Sequence, residues 1–440
     1  MVLNNSLYES SGDLGPVSPI SMGPRCSTDF LIVGGGATGL AAAQELREAG
    51  FGVVLVEALE IGDTAAGLSG GILTLNVESD YADLDADEAR VLYGLSRAGM
   101  ASIVTLVRER SLACDLVTDQ GSLYLSGQPK GRDLFENELK TREALGIKGV
   151  RILEGDDLRS LYDSPVHVVG LHETSAHSLD PRAFTREHAR LLLRQGVSLF
   201  EGQAVGSLDL KAREAVTRQG HKISFGQVIL CSGLSSLTLG VLPEMKQRVM
   251  PVATHILATA PLPKDKLSRL FPSDSRPILW DTKLFYNYGR LTRDNRILFG
   301  GATAILSTRQ ALQPWDEGQR RSFQNVIRGE FEGFFPTLGP CTPEFFWGGV
   351  IAAPADEFPF VGRVEEHCLA ALLAPGLNIA HASGQLVARL ARGVRMDSEV
   401  QEIVDLRRPL SWGARCRKLA AEIPLSRWAM NRWGQRHHDG

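Results

Sequence analysis

The sequence predicts an α/β protein with a Rossmann-like dinucleotide-binding domain and a second domain built on a mostly antiparallel sheet. Three observations predict it. A glycine-rich turn joins a buried strand to a helix near residue 34, strand and helix signals alternate through residue 231, and strand signals dominate from 249 to 304.

The 440 residues are 43% hydrophobic and 22% charged, with a net charge of −4. That balance suits an ordinary folded chain of two or three domain-sized units and argues against disorder. It also argues against a nucleic-acid binder, which would carry a basic face. The cysteines Cys26, Cys114, Cys231, Cys341, Cys368 and Cys416 are scattered, with no C-x-x-C pair and no metal-ligand spacing to histidine. A reducing, cytoplasmic setting without a metal site is therefore expected. Neither a signal peptide nor a continuous apolar span is legible.

Residues 1–27 are rich in Ser, Gly, Pro and Asn and are expected to form a mobile or loosely docked arm. Residues 29–33 suit a buried strand, 40–49 a helix stopped by Gly50, and 52–56 a second buried strand closed by Glu57. Between the first strand and the helix, Gly34, Gly36 and Gly39 form G-x-G-x-x-G. Gly34 permits the tight turn, Gly36 lets the main chain approach a pyrophosphate, and Gly39 lets helix pack on strand. The helix start at Ala37 and Thr38 offers unpaired N–H groups to phosphate. Glu57, followed by Ala58, lies where an acid accepts hydrogen bonds from a ribose. Strand, glycines, helix and acid in this order specify a dinucleotide, and both NAD and FAD use such a unit.

Helical spacing covers 86–110. Asp180-Pro181 reads as the N-cap and first residue of a helix running to Arg194. Short strands are expected over 197–200, 204–210 and 215–218, and a buried strand over 227–231 that ends at Ser232-Gly233. Further strands are expected over 251–260, 284–291 and 296–301, and a helix over 315–335. Late in the chain, 377–380 reads as a strand and 383–392 as a helix.

Several segments, taken in order, resemble the D-amino-acid oxidase/glycine oxidase superfamily of FAD-dependent amine oxidoreductases, and within it the gamma-glutamylputrescine-oxidase-like branch. Residues 62–72 (GDTAAGLSGGI) resemble a second glycine loop lying along the flavin, and 179–181 (LDP) a characteristic helix start. Residues 227–233, 296–301, 347–351 and 359–363 also match. The resemblance implies non-covalent FAD, held additionally by Gly67, Leu68, Ser69 and Gly71, by Val205 beside the adenine, and by Ser232 and Gly233. It implies a discontinuous FAD domain over 28–80, 150–240 and 345–395, with a substrate domain over 81–149 and 241–344. One departure concerns the glycine-rich G-x-S-G-x-G stretch that opens a helix against the flavin in this family. It is read here at His381-Ala382-Ser383-Gly384-Gln385-Leu386, which keeps Ser383 and Gly384 but has His381 and Leu386 where glycines are usual, with His381 a candidate cation or donor to the flavin. A helix N-terminus there would stabilise negative charge on reduced flavin. Cys341, weighed as a flavin thioether, reads as a small apolar filler.

Residues 281–293 resemble the Y-x-R strand that faces substrate in this branch. Alternation puts Tyr286, Tyr288 and Arg290 on one side, the tyrosines as pocket walls and Arg290 as a bidentate grip for a carboxylate. His255, on the strand before, is a candidate for the flavin face, and Trp347 is expected to pack between domains. The Arg and Trp residues of the basic tail, 396–440, are expected to pack on the body rather than on a membrane. The implied chemistry is oxidation of a C–H bond beside an amine nitrogen to an imine, with hydride passing to flavin N5. Small amines or amino acids are the expected substrates, and reoxidation by O2 gives H2O2. The alternatives are a dehydrogenase serving a quinone or carrier protein, and a non-catalytic flavin-binding protein.

Overall fold

The structure, a computed structural model, describes residues 6–11, 15–18, 20–311, 316–340 and 342–434. Its first sheet grows from the strands flanking the glycine turn. Arg25–Val33 lies between Val53–Val56 and Lys222–Leu230, with both pairings parallel. Ser198–Phe200 extends one side, and Cys368–Leu372 followed by Phe360–Glu365 extends the other. Residues 30–33 and 53–56 are buried throughout, the pattern of a parallel strand covered on both faces. Helices Ala37–Glu48 and Leu377–Ala391 pack over this sheet. They meet so closely that a Cβ at Gly384 would lie 2.1 Å from the Thr38 carbonyl oxygen.

The second sheet runs Pro343–Pro354, Val249–Thr259, Ile297–Ile305, Tyr288–Leu291, Ile278–Asp281, Ser122–Ser126, Val169–Glu173, Val150–Glu154. Only the pairing of Ile278–Asp281 with Ser122–Ser126 is parallel. One face carries a phenylalanine core with helix Glu317–Phe334, including Phe299, Phe331 and Phe335. The other face turns Ile256, Ala258, Leu298 and Trp347 towards Tyr8 and Leu68.

The helices read at 86–110 and 181–194 form with those bounds. Asp85 and Glu88 make a reciprocal capping box on the first, and the Asp180 carboxylate accepts from the Ala183 N–H on the second. Other expectations are corrected. Residues 377–380 are the first turn of a helix, and the strand is the wholly buried Cys368–Leu372 before it. A short apolar run has no periodicity to separate strand from buried helix. The strand expected over 284–291 shortens to Tyr288–Leu291, because the chain before it folds back and Asn287 donates twice to Asp281. The strands Val150–Glu154, Val169–Glu173 and Pro343–Pro354 join the second sheet, which moves the expected domain bounds.

The arm expected at 1–27 is docked where it is described. Tyr8 and Val17 are buried, the Ser18 N–H donates to Glu201, and the Gly15 carbonyl accepts from Arg186. Among the described residues no helix is long and apolar enough to cross a membrane.

Candidate active site

The three glycines of the first turn have three different surroundings. Gly34 sits at φ +114°, and a Cβ there would meet the Cys231 carbonyl oxygen at 2.7 Å. A Cβ at Gly39 would lie 1.9 Å from the Gly34 carbonyl oxygen. Gly36 is open: the nearest atom to a Cβ there is the Ala66 Cβ at 3.8 Å. That space lies at the start of helix Ala37–Glu48, where Ala37 and Thr38 begin the turn that attracts a phosphate. The buried Glu57 carboxylate accepts from the Gly35 N–H at 2.7 Å and the Leu59 N–H at 3.0 Å. Ala58 lies exposed beside it. Ser232 packs against Gly34, and Gly233 turns the chain away at φ +51°. The Gln203 N–H donates to the Glu57 carbonyl at 2.7 Å, drawing the half-buried Val205 towards the same end of the sheet.

The second glycine loop is held by four consecutive carbonyls. Leu68 accepts from Trp347 Nε1 at 2.8 Å, Ser69 from the Tyr8 hydroxyl at 2.9 Å, Gly70 from Arg290 Nε at 2.6 Å, and Gly71 from the Leu179 N–H at 2.8 Å. The donors come from four separate parts of the chain, two of them strands of the second sheet, so the loop is fixed against that sheet and against the segments carrying Tyr8 and Leu179. Its glycines are demanded by contact. A Cβ at Gly67 would lie 2.2 Å from the Gly62 carbonyl oxygen, and Gly71, at φ +65°, lies as tightly against the Leu179 carbonyl.

Beside this loop stands an aromatic wall. The Tyr288 ring packs on Gly70 and Gly300, and Trp280, Tyr286 and Tyr288 have ring centroids 5.5, 5.6 and 6.4 Å apart. The Tyr286 hydroxyl donates to Glu78 Oε2 at 3.3 Å. Glu78 is exposed as a residue, yet packing around its carboxylate, reinforced by repulsion from Glu357, pushes its pKa up to about 7. Burial also raises both tyrosine hydroxyls above their ordinary value.

Three sequence expectations are corrected at the site. Arg290 is buried and its guanidinium is spent on main chain, with Nε on Gly70 and Nη2 on Leu179 at 3.0 Å. It staples the glycine loop rather than reaching for a carboxylate. His255 faces away from the glycine loop, stacked on Phe323 at 3.9 Å with Nδ1 against the Ala302 carbonyl at 3.1 Å. The 381–386 stretch lies inside helix Leu377–Ala391, whose N-terminus is several residues earlier. His381 contacts Ser102 at 3.1 Å, Gln385 donates to Ser102, Ser383 is buried, Gly384 abuts the first helix and Leu386 packs on the first core. Cys341 lies outside the described residues.

Tyr8, Trp280 and Glu78 are the site residues that sequence reasoning missed. Glu78 carried one signal, an acid pair with Asp80 just beyond the second glycine loop.

A family model described as FAD dependent oxidoreductase matches residues 29–390. The chain belongs to this family. It is similar to gamma-glutamylputrescine oxidoreductase of Escherichia coli, 26% identical over 88% of this chain and 89% of that one. A probable oxidoreductase, OrdL, of Haemophilus influenzae is also 26% identical, over 90% of each chain. The glycine oxidase structure from Geobacillus kaustophilus shares the fold, with a TM-score of 0.73 at 17% identity over 88% of this chain and all of that one. The family's cofactor is FAD, bound without a covalent link, and the cradle fits it. Gly36 leaves room for a diphosphate, Glu57 ends the second strand where an acid would meet a ribose, and the clamped loop 67–71 would border the far end.

Proposed function

We propose that this enzyme oxidises the carbon beside the nitrogen of a small amine or amino acid to an imine. FAD, when bound, supplies the hydride acceptor, N5. The observation that carries the reading is the junction of Tyr288 with Gly70, which sets an aromatic wall and the Glu78 carboxylate beside the clamped glycine loop. Aromatic faces attract an alkylammonium, and a carboxylate supplies its opposite charge. An ammonium has no lone pair to expel hydride, so it must lose a proton first. Glu78 Oε2 is the acceptor this reading assigns, since a base with a pKa near 7 is matched to work near neutral pH. The Tyr286 hydroxyl orients that carboxylate. Arg290, spent on carbonyls, leaves the wall free of a carboxylate-gripping guanidinium, which favours amines over amino acids.

In this reading O2 accepts the electrons and is released as H2O2. Anaerobic mixing with a panel of amines and amino acids, followed by loss of oxidised-flavin absorbance, tests the substrate class. Glu78→Gln is expected to slow that bleaching by roughly 100-fold, the span of one general base. It should also remove the acid limb of the pH profile near 7. A variant that bleaches at the parent rate would overturn the assignment, and a parent that no amine bleaches would overturn the function.

A further inference from the structure

The C-terminal helices Trp412–Glu422 and Pro424–Gly434 are turned the wrong way round for a soluble surface. Trp412–Glu422 packs inward through Ala414, Lys418 and Ala421, two of them the smallest side chain that packs. Outward, at helical spacing, it presents Trp412, Cys416, Leu419 and the adjoining Ile423. Trp412 is 81% exposed, Leu419 66%, Leu425 75% and Trp428 58%. An amphipathic helix on a globular body normally buries its large apolar residues and exposes its small or polar ones. The sequence expectation that these tryptophans pack on the body is corrected for Trp412 and Trp428.

The helices are nonetheless firmly seated. Asn431 pairs with Ile305 through both its amide atoms, accepting at 2.7 Å and donating at 3.0 Å. Ala421 and Met430 join a cluster with Val252, Ile305 and Phe285, the neighbour of Tyr286. The charge is as one-sided as the hydrophobicity. Between 406 and 434 the sequence has seven basic residues and a single acid, Glu422, and of these basic residues Arg408 is tied to Asp356 at 2.9 Å. Glu422 is taken by Lys418 at 2.7 Å. Arg415 and Arg427 meet main-chain carbonyls, and Arg432 lies over Trp428 at 5.5 Å.

We propose that this face docks on an anionic lipid surface. Exposed Trp and Leu beside uncompensated Arg is the composition of an interfacial helix, with the indoles entering the headgroup boundary and the guanidiniums meeting lipid phosphates. A second copy of this chain is disfavoured because it would bring two strongly positive faces together. The inference goes beyond the proposed reaction and does not depend on it.

Flotation of the FAD-loaded full chain with vesicles tests it. Vesicles of phosphatidylcholine containing about a third phosphatidylglycerol should carry at least roughly tenfold more protein than phosphatidylcholine alone, and raised salt should reverse this. Replacing Trp412, Leu419 and Trp428 together by Ser should abolish flotation while flavin content and melting temperature stay at parent values. Charge reduction by Arg415→Gln, Arg427→Gln and Arg432→Gln should weaken it without touching the apolar stripe. Failure of the parent to float with anionic vesicles would overturn the proposal, as would undiminished flotation of the Ser variant. Sedimentation velocity showing a dimer that the Ser variant dissolves would assign the face to a second copy instead.

Discussion

The indole Nε1 of Trp347 donates a 2.8 Å hydrogen bond to the carbonyl oxygen of Leu68, joining the second sheet to the second glycine loop. Both residues are buried, so the carbonyl has no solvent to fall back on. Trp347→Phe keeps most of the ring and removes the donor. It should cost about 1–3 kcal/mol, the penalty of one orphaned buried acceptor. The loop should loosen with it, so FAD titration should show weaker binding alongside the lower melting temperature.

The glycines of the first turn separate folding from cofactor binding. Gly34→Ala forces a side chain into a left-handed position against Cys231, and should cost about 1–3 kcal/mol of stability before any ligand is considered. Gly36→Ala meets nothing closer than 3.8 Å in the protein, so its melting temperature without FAD should match the parent. Its FAD content after gel filtration should nevertheless collapse, because the methyl occupies the phosphate's space. Equal FAD retention in Gly36→Ala and parent would remove the diphosphate from that position.

Much of this was legible from sequence where a local rule fixes a residue. The strand–glycine–helix–acid unit, the Asp180-Pro181 start and the 86–110 helix all follow from caps, turns and periodicity within one segment. The clamp on 68–71 was not legible, because its donors Tyr8, Leu179, Arg290 and Trp347 are far apart in sequence and meet only through tertiary packing. The tail of the site was misread for a different reason. Residues 368–380 are mostly apolar, with no period to separate strand from helix, so the strand and the helix start were displaced along the run, and Ser383-Gly384 took on the look of a helix opening. Gly384 is small because Thr38 is close.

Arg290 carries a prediction that distinguishes a staple from a substrate grip. Its Nε and Nη2 bind two carbonyls of different segments, with Tyr8 at the edge of range at 3.5 Å. Arg290→Ala should therefore lower melting temperature and FAD retention, orphaning buried acceptors at about 1–3 kcal/mol each. The ratio of KM values for an amine and its carboxylated analogue should stay at the parent value. A selective rise in KM for the carboxylated substrate would restore the grip and undo the staple.

The buried histidines set an acid limit on stability. His381 and His188 have ring centroids 5.9 Å apart in the core beneath the first helix, with His188 Nε2 held by Gln44 at 2.7 Å. Burial lowers the His381 pKa to about 4, and burial with repulsion from His381 lowers that of His188 well below the ordinary 6.5. Because the folded values are depressed, the unfolded chain takes up these protons first as pH falls. Their stabilising contribution is complete above about 6.5 and is lost below it, for His381 down to about 4 and for His188 well below 6.5. His255, lowered by burial to about 4, adds to the same limb. Below about pH 6.5 the histidines therefore pull the melting temperature down, against the opposite pull of the carboxylates Glu78 and Asp80, whose folded values are raised. In His381→Gln and His188→Gln that downward pull, read as melting temperature from pH 7.5 to 5, should be weaker, whatever their stability at pH 7.5, because one titrating group has gone from each. Variant and parent curves of identical slope would mean that these rings already share a proton or reach water in the folded state.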